Sequence, residues 1–286
     1  MRITDTCPAL LTAYEGTAFR FEKWKSYIDS ALPGAAPMFI ADMEQCLGTG
    51  RFSWEENFLP VLNAVALRGE LRERAHDSFR RATEHLERSL YDTFGKGLDV
   101  DIVFYLGLCN GAGWVTEHQG RTAVFLGIEK IMELNWCGTD DMYGLIYHEL
   151  GHVYQRQYGV LERTFDHNAD RFLWQLFTEG IAMYFEQVLV GNPDYYHQDK
   201  DGWKKWCDDH FDGIKADFDR DLATMTPANQ HYFGDWVKYR GRGDVGYYLG
   251  CRFVHHILSM YELDEVICFD MDTVVPLYQQ FINAQK

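Results

Sequence analysis

The chain has 286 residues, 47% of them hydrophobic and 15% aromatic, with seven Pro. That is enough to bury one large core or two smaller ones, and it excludes a disordered polymer. Its 27 Lys and Arg against 43 Asp and Glu leave a net charge of −16, which repels polyphosphate and anionic lipid and excludes nucleic acid and membrane surfaces as expected partners.

The first hundred residues read as helices: a long amphipathic one over 9–31, a short one over 38–47, and helical spacing over 54–94 interrupted near Gly69. From Gly95-Lys96-Gly97 the character changes. Val100 to Leu106 and Thr122 to Ile128 are β-branched and aromatic runs that predict strands. The glycine-rich stretch Gly107 to Trp114 between them lacks dinucleotide-binding spacing, so a connecting loop at the rim of a cleft is expected. Helical spacing resumes over 141–158 and 167–190, the second with Asp166 as N-cap and Gly191-Asn192-Pro193 as its stop. Further helices are expected over 202–218, 245–261 and 273–284, with a loop over 226–243. The expected organisation is an N-terminal helical region, 1–97, followed by a chemistry-bearing domain, 98–286, with one continuous body as the alternative.

Seven cysteines without a Cys-x-x-Cys spacing suggest neither a disulfide framework nor a thiolate zinc site and fit a reducing compartment. Met1 to Pro8 lacks the apolar core of a secretion signal, and no apolar run approaches the roughly 18 to 20 residues that span a bilayer. A soluble, cytoplasmic protein is expected.

The functional argument rests on His148-Glu149-Leu150-Gly151-His152, a His-Glu-x-x-His motif in a segment of helical spacing. Two histidines four apart share one helix face, so their imidazoles can hold one Zn²⁺ while Glu149 stays free to take a proton from metal-bound water. A catalytic zinc needs a third protein ligand and one open position. Tyr158 stands where a metzincin would have its third histidine, which excludes that class. On the next predicted helix, Glu179 follows His152 by 27 residues, with Gly180-Ile181-Ala182 beside it to allow close helix approach. Glu186 and Asp170 are rivals, and Asp170 is alternatively a partner that orients a ligand histidine.

His148-Glu149-Leu150-Gly151-His152 followed by Glu179-Gly180-Ile181-Ala182 resembles the gluzincin metallopeptidases, most nearly a bacterial family of predicted zinc-dependent proteases. The likeness covers roughly residues 98–265, including the strand Val124 to Ile128 and the segment Gly246 to Val254. The resemblance implies a zincin-like metallopeptidase domain in which His148, His152 and Glu179 bind the metal and Glu149 is the catalytic base. As in many gluzincins, a tyrosine would stabilise the oxyanion. Tyr247 and Tyr248 are the candidates, with His231 a weaker one. Arg240 and Arg242 are candidates for holding a substrate carboxylate. Glu129 and Glu133 are candidates for gripping a free N-terminus, and the strand around Val124 is expected to offer its edge to an extended peptide.

The expected fold is therefore helix-rich α+β, with a small mixed sheet over the zinc helix. The expected function is zinc-dependent hydrolysis of a peptide or protein substrate, endo- or exopeptidase, in an undetermined oligomeric state. The alternatives are a non-catalytic peptide-binding module on the same scaffold and a zinc hydrolase of a non-peptide amide.

Overall fold

The apolar runs expected as strands are strands in the computed structural model of the chain, which describes residues 1–284. Asp101–Tyr105 and Arg121–Gly127 pair in parallel, as expected for runs buried on both faces. Two further strands complete a four-stranded mixed sheet. In chain order the strands are β1 (Arg2–Asp5), β4 (Asp101–Tyr105), β5 (Gly113–His118) and β6 (Arg121–Gly127), arranged β1-β4-β6-β5, with β2 (Tyr14–Glu15) and β3 (Ala18–Phe19) forming a separate antiparallel pair.

Three expectations change here. Residues 9–31 are not one helix: Cys7–Ala13 is a 3₁₀ segment opening at Pro8, β2 and β3 turn through Gly16 at φ +62°, and only Phe21–Ala31 is helical (α1). β1 escaped notice because it is four residues long and mostly exposed. It is held by backbone pairing to β4 and by the two-pronged contact of Arg2 with Asp101, at 2.9 and 2.7 Å. The third change concerns the open edge. β6 has neighbours on both sides, so the strand around Val124 has no free edge; β5, paired only with β6, holds that position.

The chain forms two compact units, Met1–Glu149 and Leu150–Lys286. The first unit packs α1, α2 (Ala36–Gly48), α3 (Leu59–Leu67), α4 (Gly69–Thr83), α5 (Leu86–Phe94) and α6 (Ile128–Glu133) with the main sheet. Its core is aromatic: Phe39 stacks on Tyr105 at 4.7 Å and meets Phe125 edge-on at 5.3 Å. The indole of Trp24 donates to the carbonyl of Leu106 at 2.9 Å, tying α1 to the end of β4. α7 (Thr139–Tyr158) crosses the division between Glu149 and Leu150.

The second unit is helical: α8 (Asn168–Val190), α9 (Trp203–Leu222), α10 (Val245–Leu258), α11 (Leu263–Val266) and α12 (Met271–Asn283). His167, not Asp166, is the N-cap residue of α8, and its side chain makes no capping bond. α8 and α10 cross where Gly180 faces Gly250. A Cβ on Gly180 would stand 2.2 Å from the Gly250 carbonyl oxygen, and one on Gly250 would stand 2.4 Å from that of Leu176. The small residues beside Glu179 therefore let two backbones touch, which fixes the depth at which α8 presents that carboxylate. No described helix is long and apolar enough to cross a membrane.

Candidate metal centre

α7 is buried without a break from Gly144 to Gly151, and this packing on every side sets the rotation of the helix. Asp140 and Asp141 in its first turn and Arg156 in its last complement the helix dipole. With that rotation set, His148 and His152 share a face.

His148, His152 and Glu179 each offer a ligand atom, and the three atoms lie within 4.8 Å of one another. His152 Nε2 and Glu179 Oε2 are 3.3 Å apart, with both side chains 14% exposed. Two atoms bound to one tetrahedral ion at about 2.0 to 2.1 Å stand roughly 3.3 Å apart, so the spacing fits a shared Zn²⁺. Two imidazoles and one carboxylate form a set suited to a transition-metal ion such as zinc or iron and unlike the all-oxygen cages of Ca²⁺ or Mg²⁺.

The rivals for the third position separate on geometry. Asp170 is in the first turn of α8, nine residues before Glu179 and so about 13 Å away along the axis, and among the described residues it joins no ligand-type group. Glu186 belongs to a second group, with His148 and His197, in which all three residues are buried. Its Oε1 accepts the backbone N–H of His197 at 3.0 Å, and its Oε2 lies 2.8 Å from His197 Nδ1. Glu186 thus reaches His148 but is not grouped with His152 or Glu179. Both of its oxygens meet His197, so it stands as a rival that shares only His148 with the first group. His197, in the loop after α8, carried no sequence signal because no spacing rule links it to the motif.

Glu149 is buried and meets the first residue of β5. A Cβ on Gly113 would lie 2.7 Å from Glu149 Oε1 and 2.9 Å from its Cγ, so only glycine leaves room for the carboxylate there.

The phenol candidates part company. Tyr248 is buried among Tyr196, Trp203 and Phe211, and its hydroxyl donates to Asp208 Oδ1 at 2.8 Å, so it serves packing rather than an oxyanion. Burial, and then that bond to Asp208, push its pKa up. Tyr247 is half-buried in the first turn of α10 with its ring edge-on to Phe233. His231 is exposed in the loop before α10.

The remaining charged candidates are engaged elsewhere or buried. Arg240 pairs with Asp217 at 2.7 Å and covers the Tyr239 ring, which accounts for it without a substrate. Glu129 is 1% exposed and accepts the amides of Gly107 and Cys109, so it is not open to a substrate amine, while Glu133 pairs with Lys130. Asp244, the N-cap residue of α10, was not singled out by any motif. Burial pushes its carboxyl up to about 6, helped by the nearby charges of Asp235 and Glu179.

Comparison with protein-family models, with curated proteins and with solved structures returns no match.

Proposed function

We propose that the chain is a zinc-dependent peptidase of gluzincin type, built on a zincin-like arrangement of helix, edge strand and glutamate helix. The observation that carries this reading is the convergence of His148, His152 and Glu179 within 4.8 Å, with Glu149 held on the intervening turn of the same helix. A bound Zn²⁺ there supplies Lewis-acid polarisation of a carbonyl and a water acidified toward neutrality.

Everything else falls to the protein. Glu149 accepts the proton of the attacking water and returns it to the leaving amine. The glycine at position 113 keeps that carboxylate against the start of β5, whose outer backbone groups can pair with an extended peptide. Tyr247 is the phenol retained for the oxyanion, since the Tyr248 hydroxyl is committed to Asp208. Seven cysteines, none of them in a disulfide, support the reading of a reducing compartment such as the cytoplasm.

A binding module with the same histidines has no use for Glu149, which favours the catalytic reading. The test is digestion of a peptide library by zinc-loaded wild type and Glu149→Gln. Cleavage by the first and not the second supports a peptidase. Equal cleavage by both removes Glu149 from its role, and hydrolysis of simple amides with every peptide left intact points to the non-peptide alternative.

A further inference from the structure

The glycine-rich stretch between β4 and β5 has no part in the scheme above, and neither does Glu129, a carboxylate buried in the first turn of α6. We propose that Glu129 is a positioning residue: it anchors the loop Gly107–Gly113 and so sets the first residue of β5 against Glu149. The functional consequence rests on the peptidase reading, whereas the placement of the loop does not.

Glu129 Oε2 accepts the amide of Gly107 at 2.9 Å and Oε1 that of Cys109 at 3.1 Å. Burying a carboxylate is costly, and an apolar side chain would fill the space at less expense. The acceptor oxygens are what this position supplies. They hold a turn that ordinary sequence would resist: Cys109 is left-handed at φ +60°, and a Cβ on Gly107 would stand 2.6 Å from Glu129 Oε1.

The rest of the loop is equally constrained. Asn110 closes it by accepting the Leu108 amide at 2.9 Å and donating to the Phe39 carbonyl at 2.9 Å. The carbonyl of Ala112 accepts the amide of Gly127 at 3.0 Å, and a Cβ on Gly127 would meet the Gly111 oxygen at 2.5 Å. One residue later Gly113 lies against Glu149. Seven residues, Gly107 to Gly113, thus link two buried carboxylates, gripped at one end by Glu129 and closing on the candidate base at the other. A slip at the anchored end moves Gly113, and a misplacement of about 1 Å near a reacting group costs on the order of 100-fold in rate.

The experiment compares wild type with Glu129→Gln, which keeps the size but turns an NH₂ toward a backbone N–H. Gly107→Ala serves as an independent variant that drives a methyl into the same carboxylate. Three quantities are read: amide hydrogen exchange over 107–116 and over β4 and β6, zinc stoichiometry, and kcat and KM on a peptide cleaved by wild type. Expected in both variants are faster exchange over 107–116 with β4 and β6 still protected, zinc retained, and kcat lowered about tenfold or more. Unchanged exchange over 107–116 in both overturns the proposal, as does faster exchange with kcat unaltered. A wild type that binds no zinc and cleaves nothing defeats the peptidase reading alone, and the exchange result still decides whether Glu129 sets the position of β5.

Discussion

Gly113 and Glu149 occupy what would otherwise be one space: a Cβ on residue 113 would fall 2.7 Å from Glu149 Oε1. The edge strand and the candidate base are therefore fitted to one another through a missing side chain. Gly113→Ala forces the carboxylate to turn aside, or β5 to withdraw. Zinc binding should persist, because the ligands are untouched, while kcat falls by about 100-fold. A variant with full kcat would show that Glu149 does not work from this position.

The metal ligands can be ranked. Glu179→Ala removes the proposed third ligand and should abolish stoichiometric zinc retention through dialysis. Glu186→Gln disturbs the contact with His197 in the neighbouring group and should weaken zinc affinity by no more than about 10- to 100-fold. Competition with a chelating dye measures both. The reverse order would make Glu186 the third ligand.

At the α8 and α10 crossing, Gly180→Ala places a methyl 2.2 Å from the Gly250 carbonyl oxygen, a backbone atom that cannot rotate away. Overpacking of this kind costs about 1–3 kcal/mol, so thermal unfolding of the metal-free protein should begin several degrees lower. Gly191→Ala, on an open surface with nothing within 4 Å of its Cβ position, should cost less, limited to the strain of its left-handed backbone at φ +73°. Equal losses at the two sites would argue against the close crossing.

Glu129 gives stability a pH dependence of definite sign. Burial is the largest influence and pushes its carboxyl from 4.5 up to about 7, against the opposing pull of the Gly107, Cys109 and Glu129 amides and of Lys130. The fold thus favours the protonated acid. That contribution is complete below about pH 4.5 and is lost as pH rises through about 7, a change on the order of 3 kcal/mol. The stability of wild type relative to Glu129→Gln should fall by about that amount between pH 4.5 and 8, measured by denaturant unfolding. A difference that stays constant with pH would place Glu129 in a wetter setting.

The motif and its helix were legible in the sequence because the His148 and His152 spacing and the helical spacing around it are both local patterns. Glu179 was legible for a related reason: the small residues after it predict a close approach to the motif helix, and Ala182 of α8 meets Gly151 of α7, where a Cβ would stand 2.7 Å from the Ala182 Cα. What stayed hidden is what depends on distant partners. β1 has almost no apolar signal and exists because β4 offers it an edge. β5 begins inside a glycine-rich run whose glycines look like loop residues, although Gly107 and Gly113 are set by contact with the carboxylates of Glu129 and Glu149. Tyr247 and Tyr248 are adjacent and chemically identical, and only the position of Asp208 on α9 separates their roles. The pairing of His197 with Glu186 likewise depends on how the loop after α8 returns.

The most direct measurement is metal content per chain by elemental analysis after zinc loading and dialysis. One zinc per chain is predicted for wild type and for Glu149→Gln, whose altered residue stands beside the metal, with loss in His148→Ala and His152→Ala. A wild-type protein that retains no zinc, or histidine variants that retain as much as wild type, would contradict the metal centre on which the account depends.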